Sequence, residues 1–296
     1  MKVKDRIQQL HKDIEKFVEN GEYENYLKFL SKFWSRSAYN QALIYIFKEH
    51  ASFVMGYKQW IEKFNRIPVA CTVCRSQKNK DCTCKERKAP IRIPQLAPIP
   101  YKNKDDEDKI WFKEVYVFDV ADTEPIEGLP IKPLEKIAKP LIGQLDNFKT
   151  LESALIEIIN ENGFSFRYDV WDSEYLNGWC NYTLKEIVVH DDRAESQKIK
   201  TMIHEIGHMF AHDTEKLGDM KKPRGSVEAE AESIAYVVAS HYGLDTSNYS
   251  IGYVAGWTGG GDEDTLQDTI QTVSKNAKMI IDMLGGKIDS SSITND

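Results

Sequence analysis

The stretch Thr201-Met202-Ile203-His204-Glu205-Ile206-Gly207-His208-Met209-Phe210-Ala211-His212 decides how the rest of the chain is read. Its apolar residues recur at helical spacing, so a helix is expected, and histidines at i and i+4 then stand one above the other on one face. Two neutral imidazoles so placed can hold one Zn2+ ion. Glu205 projects nearby, placed to take a proton from a water on that ion. A five-residue pattern with three fixed positions also arises by chance on ordinary amphipathic helices. The context favours the metal: a strand-like run precedes the motif, a glycine lies within it, and an acidic helix follows about twenty residues later.

A catalytic zinc needs three protein ligands and one open position for water. In Ser226-Val227-Glu228-Ala229-Glu230-Ala231-Glu232-Ser233-Ile234-Ala235-Tyr236, Glu228 and Glu232 share a helix face, while Glu230 points roughly 200° away. Ala231, Ile234, Ala235 and Val238 form an apolar stripe beside that face. Glu228 as third ligand, with Glu232 one turn on as acceptor for a ligand histidine, meets the need to orient such imidazoles; the reverse assignment also fits the spacing. His212 is a competing third ligand, and His190 and His241 are further rivals. Zinc-water chemistry makes Glu205 the general base and then the general acid of peptide hydrolysis. The run Tyr182–Val189 is expected to receive an extended peptide by edge pairing. Tyr253, Tyr236, His212 and Tyr182 are candidate donors to the oxyanion.

Outside this motif, 296 residues suffice for two domains, each with its own core. Apolar content of 41% and aromatic content of 11% are globular values, and no run approaches the ~18 apolar residues of a membrane span. The first residues lead into a charged amphipathic helix, so export is not expected and a cytoplasmic protein is. Five cysteines, four of them clustered, suit a reducing compartment better than a disulfide framework. The net charge of -7 hides an asymmetry. Residues 1–125 hold 23 Lys and Arg against 18 Asp and Glu, whereas 126–296 hold 16 against 28. Within the front part, residues 56–104 carry 12 basic and 3 acidic side chains, which suggests a polyanionic partner there.

In chain order, helices are expected over 1–20, from Tyr23 to Trp34, from Ser37 to His50 and over Tyr57–Phe64. Arg36, Tyr39, Asn40 and Gln41 form a polar cluster at a helix start, fit for phosphate or for capping. Strands follow around Ile91–Ile93 and Ile110–Val120, and residues 121–147 with their prolines read as linker. The second half reads as a helix over 151–160, strands over 164–170 and 178–190, the motif helix, a helix over 226–242, a glycine-rich loop and a last helix over 264–284. Cys71-x2-Cys74-x7-Cys82-x-Cys84 is interleaved with Lys78, Lys80, Arg87 and Lys88, which are candidate nucleic-acid contacts. Four thiolates in so short a span can close a second, structural Zn2+ site, with free or redox-labile thiols as the alternative.

With both halves laid out, the chain resembles the ArdC/LtrC-type proteins of plasmids and conjugative elements. The front half carries the resemblance on Ser37-Ala38-Tyr39-Asn40-Gln41-Ala42-Leu43-Ile44, Val54-Met55-Gly56-Tyr57-Lys58-Gln59-Trp60, Leu96-Ala97-Pro98 and Val117-Phe118-Asp119-Val120-Ala121-Asp122-Thr123. The back half carries it on His204–His208, on Glu228–Ala235 and on Tyr253-Val254-Ala255-Gly256-Trp257. In such proteins an N-terminal domain associated with single-stranded DNA precedes a zincin metallopeptidase domain related to the ImmA/IrrE peptidases. The resemblance implies His204, His208 and Glu228 on zinc and Glu205 as the catalytic residue, because related peptidases draw the third ligand from a Glu-x-x-Ala pattern, here Glu228 and Ala231. It also implies protection of incoming DNA against restriction. The cysteine-bearing insertion departs from the short Lys/Gly-rich turn usual after the Trp-containing helix.

The expectation is therefore an α+β chain. Residues 1–125 form a helical/β domain of single-stranded-DNA-binding type with a Cys-rich insertion at 71–84. A linker at 126–147 leads to a zincin-like, gluzincin metallopeptidase domain over 148–288. Its partners are single-stranded DNA and a protein or peptide substrate, with no membrane. Two alternatives stand beside it: a DNA-binding or masking protein with a non-proteolytic zinc site, and a regulatory peptidase cleaving a repressor-like partner.

Overall fold

The computed structural model describes residues 23–102, 107–132, 148–173, 175–212, 224–244 and 263–293. The expected helix over 1–20, most of the expected linker, the glycine-rich loop and Tyr253 lie outside them. Among the described residues, 39–132 form one compact unit, and 23–38 join 148–293 in the other. This division differs from the expected cut, which put the whole of 1–125 in front. The reason is packing: helix α1 (Tyr23–Lys32) buries Tyr23, Tyr26, Leu27, Phe29 and Leu30, and its partner is the late helix Arg224–His241. The Tyr23 hydroxyl donates to Ser233 Oγ at 3.2 Å, and the Tyr236 hydroxyl donates to the Glu24 carboxylate at 3.3 Å. Burial of each such side chain contributes ~1.5–3 kcal/mol, so α1 is integral to that unit.

The front unit contains α2 (Ala38–Phe47), β1 (Val54–Gly56), α3 (Tyr57–Phe64), β2 (Arg66–Pro68), β3 (Ile93–Lys102), β4 (Asp108–Asp119) and β5 (Thr123–Pro125). An antiparallel sheet runs β1-β4-β3, and β2 pairs with β5 in a separate ribbon. The long β3–β4 ladder extends from Ile93↔Val117 to Lys102↔Asp108. Helix α3 begins where the Gly56 N–H donates to Gln59 Oε1, and ends at Asn65, whose left-handed φ of 52° closes it.

Several of the motifs quoted above hold this fold together. Asn40 Nδ2 donates to the Leu96 carbonyl at 3.0 Å while Asn40 Oδ1 accepts the Leu96 N–H at 2.8 Å, so α2 is pinned to β3. Gln41 is buried. This part of the polar cluster at the start of α2 therefore faces protein and not phosphate. Trp60 is fully buried and donates through Nε1 to the Phe118 carbonyl. Asp119, also fully buried, accepts N–H groups from Ser52, Phe53 and Ala121, which satisfies a carboxylate that burial alone would penalise.

The second unit adds α4 (Phe148–Glu161), β6 (Ser165–Asp169), β7 (Gly178–Asn181), β8 (Glu186–His190), α5 (Glu195–Ala211), α6 (Arg224–His241) and α7 (Glu263–Ile293). Its sheet has the order β6-β8-β7, with β6 parallel and β7 antiparallel to the central strand. The single strand expected over 178–190 is two strands joined by a tight turn. Asn181 Oδ1 accepts the N–H groups of Thr183 and Leu184, and Lys185 takes a φ of 50°. Consequently the expected peptide-pairing run is corrected: Ile187, Val188 and Val189 are buried in the middle of the sheet, and β7, with β6 on the other side, is an edge among the described strands. Ala231, Ile234, Ala235 and Val238 are fully buried, as the stripe on α6 predicts. No described helix is long and apolar enough to cross a membrane.

Candidate metal centre

Helix α5 runs beneath β7, and the approach is close. A Cβ on Gly178 would lie 2.6 Å from Thr201 Cγ2 and 2.8 Å from the Val188 carbonyl oxygen, so only glycine lets the edge strand rest on the helix. Gly207, inside the motif, is less demanding: a Cβ there would sit 3.5 Å from the Ala231 carbonyl oxygen, an ordinary contact with α6.

Between β7, α5 and α6 opens a cleft of about 650 Å³, walled by Gly178, Trp179, Cys180, Thr201 and Val227 among others. His204, Glu205, His208, Glu228 and Glu232 line it as well. Nε2 of His204 and Nε2 of His208 are 3.1 Å apart, and Glu228 Oε2 lies 3.6 Å from the first and 3.4 Å from the second. Three ligand atoms of borderline-soft and hard character thus converge within reach of one cation, the donor set of a His2Glu site. Nδ1 of His204 lies 3.1 Å from Glu232 Oε2, close enough for an ion pair but off the line of a hydrogen bond. Of the two assignments left open by spacing, Glu228 is the carboxylate that reaches both Nε2 atoms and Glu232 the one behind His204.

Behind His208 runs a buried chain of polar groups. His208 Nδ1 and His212 Nδ1 are 3.1 Å apart, His212 Nε2 lies 2.8 Å from Glu230 Oε2, and Thr269 donates to Glu230 Oε1 at 3.0 Å. One tautomer set satisfies every link. His212 donates through Nε2 to the carboxylate, its Nδ1 accepts from His208 Nδ1–H, and the lone pair of His208 Nε2 is left facing the cleft. The Tyr182 hydroxyl adds a bond to the His208 carbonyl at 3.1 Å.

Electrostatics follow from this crowding. Burial alone lowers His204, but Glu228, Glu232 and Glu205 outweigh it and raise its pKa to about 10. Burial lowers His208. Bonds from His204 and His208 hold Glu228 far below the usual carboxylate range. Glu205 is pushed up to about 7, chiefly by burial, with Glu228 adding to it and His204 and the Cys180 N–H opposing it.

The other sequence candidates are placed as follows. His212 is 4% exposed and stands behind His208, which removes it both as a third ligand and as an oxyanion donor; its geometry is that of an orienting group. Tyr236 is buried against Glu24, away from the cleft. His190 is bonded to the Trp171 carbonyl and His241 to that of Ser31, so neither joins the centre. Glu230, Thr269 and Gly178 were not singled out by sequence reasoning. The signal for Glu230 was present in its opposite helix phase, which here means a buried face. In the front unit the Sγ atoms of Cys71, Cys74, Cys82 and Cys84 lie within 4.8 Å of one another. Lys78, Lys80, Arg87 and Lys88 are all exposed, with Arg87 Nε donating to the Ala70 carbonyl.

Residues 160–248, which span both histidines and both carboxylates of the centre, match the IrrE N-terminal-like domain of peptidase family M78. The structure superposes on the antirestriction protein ArdC from plasmid R388 in its metal-free form. The TM-score is 0.55 at 15% identity, covering 96% of this chain and 97% of that one. The fold is ArdC-like, and its second half carries the match to the IrrE N-terminal-like domain. The Mn(II)-bound ArdC structure matches the ArdC-like fold with the same TM-score and identity, over 95% of this chain and 97% of that one. An uncharacterised protein of Bacillus anthracis is 28% identical over 160 residues. That segment is 53% of this chain but only 25% of the relative, so the match spans about a quarter of that relative's length.

Proposed function

We propose that this ArdC-like protein is a metal-dependent peptidase, with zinc as its ion, joined to a unit that binds single-stranded DNA, and that it serves antirestriction on a mobile element. The observation that carries the peptidase reading is the convergence of His204, His208 and Glu228 beside Glu205 in one cleft. A divalent ion held by those three groups would supply Lewis acidity, lowering the pKa of water towards about 7 and polarising a carbonyl. Glu205 takes the proton of the attacking water on its carboxylate and returns it to the departing amine nitrogen. Burial raises its pKa, which favours holding that proton between the two transfers. The edge strand β7 offers an extended substrate its main chain beside Glu205, to whose carboxylate the Cys180 N–H already donates. Trp179 and Val227 supply apolar walls for side chains.

The DNA reading draws on the likeness to ArdC and on the basic excess of residues 56–104, with Lys78, Lys80, Arg87 and Lys88 exposed. Binding through phosphates weakens steeply with salt. The test is Glu205→Gln in the full chain. Peptide cleavage is lost while bound metal and single-strand binding stay at the native level; cleavage at the native rate overturns the assignment of Glu205. Antirestriction that survives the same substitution makes DNA masking, and not proteolysis, the protective step.

A further inference from the structure

The segment between β2 and β3, residues 69–92, is long for a connection and nearly without a core. Among its side chains of described burial only Val69 and Cys71 are buried, and its regular structure is one short 3-10 turn, Asn79–Asp81. Loops of this length inside a compact unit need something other than apolar packing to hold one shape. Part of the hold is visible. Arg75 pairs with Glu124 and donates to the carbonyls of Ala121 and Thr123, and Gln77 donates to the Pro125 carbonyl, so one side of the loop is tied to β5 and its flanks. The other side returns to the first: the Lys88 carbonyl accepts the Thr72 N–H at 2.8 Å and Arg87 donates to the Ala70 carbonyl.

We propose that Cys71, Cys74, Cys82 and Cys84 bind one zinc ion as a tetrathiolate site, separate from the centre at His204. The four Sγ atoms lie within 4.8 Å of one another, with Cys74 and Cys82 3.6 Å apart. A tetrahedron with Zn–S bonds of about 2.3 Å has edges of about 3.8 Å, so small adjustments close it. All five cysteines of the chain are free, and 3.6 Å is far beyond the ~2.05 Å of a disulfide. The backbone is arranged for thiolates as well. N–H groups of Cys74, Lys88 and Val73 hydrogen-bond the Cys71 sulfur, and the Ser76 N–H does so to the Cys74 sulfur, which lies 3.3 Å from the Ser76 hydroxyl oxygen. Arg75, directly after Cys74, takes a left-handed φ of 60°, which turns the chain back so that the Ala70 N–H meets the Ser76 carbonyl at 2.7 Å. Sulfur-only ligation with no histidine, and with a closed set of four, is the chemistry of a structural ion with no position for water. Its effect is to hold the exposed Lys78, Lys80, Lys85, Arg87 and Lys88 in one surface.

The experiment uses the full chain purified under reducing conditions. Metal content is measured for the native protein, for the double variant His204→Ala/His208→Ala and for Cys82→Ser/Cys84→Ser. The native protein carries two zinc ions per chain and each variant one. Cobalt reconstitution of the histidine variant gives the intense thiolate-to-metal absorption of a tetrathiolate site, which the cysteine variant lacks. Should the cysteine variant fail to fold, titration of the native protein with a mercurial releases one equivalent of zinc per four thiols modified. A histidine variant without stoichiometric metal, a disulfide among the four cysteines, or iron at the four sulfurs each overturns the proposal.

Discussion

Glu230→Gln isolates the buried chain behind His208 because it removes a charge while keeping the shape. Glu230 is fully buried, yet its carboxylate serves two donors, His212 Nε2 at 2.8 Å and Thr269 Oγ1 at 3.0 Å. A glutamine can still accept from His212 through its carbonyl and turn its amide towards Thr269, so no polar atom need be stranded. What is lost is the charge assistance that fixes the His212 tautomer and, through it, keeps the His208 Nε2 lone pair in the cleft. Bonds to charged groups are worth about 1.5–3 kcal/mol against about 0.5–1.5 for neutral ones. Weakening two therefore costs the metal-bound state ~1–3 kcal/mol, or a tenfold to hundredfold loss of affinity, the range seen when such orienting partners are changed. Stability of the metal-free protein moves the other way or not at all, since a buried anion is replaced by a neutral amide. Competition against a chromophoric chelator at fixed pH reads the first quantity and thermal unfolding with metal removed reads the second. An affinity within about twofold of native refutes the relay and reduces Glu230 to packing.

Three further outcomes follow from other parts of the molecule. Gly178→Ala forces β7 off α5 and is expected to cost about 1–3 kcal/mol by overpacking, whereas Gly207→Ala meets only ordinary contacts and is neutral or raises Tm through helix propensity; paired thermal melts check the contrast. Leu27→Ala is expected to destabilise the second unit by about 2–5 kcal/mol, seen as a lower Tm for that unit, because α1 packs there. Burial raises the Tyr23 pKa to about 12 from its ordinary 10, the Ser233 bond opposing it. The sign is that of a raised acid: its contribution is complete below pH 10 and is lost as pH climbs from 10 through about 12. In that window native stability falls by ~2 kcal/mol more than that of Tyr23→Phe, measured by denaturant unfolding at each pH.

Much of the candidate centre is legible without coordinates because the side chains that could ligate an ion come from two helices whose phases are set by 3.6 residues per turn. His204 and His208 must share a face wherever α5 goes, and Glu228 and Glu232 must share one on α6, so two docked helices suffice to bring them together. The quoted front-half motifs are legible as motifs, but their role is not. Asn40, Trp60 and Asp119 hold backbone across 56–67 residues of separation, and such pairings leave no local periodicity. The turn at Asn181–Lys185 is hidden for a related reason: an Asn side chain and one left-handed lysine make it, with neither Gly nor Pro to mark it.

By itself, then, the chain's order of residues determined an α+β protein, a helix bearing His204, Glu205 and His208, a facing pair of carboxylates and four clustered thiols. Local spacing governs all of these. Tertiary structure alone decided that α1 belongs with the second unit, that β7 and not β8 is the edge beside the cleft, and that Glu228 reaches both Nε2 atoms. It also decided that His212 stands behind His208, locked by Glu230 and Thr269, and not within the cleft. Those outcomes depend on which faces are buried against which, and burial is a property of the packed whole that no window of sequence contains.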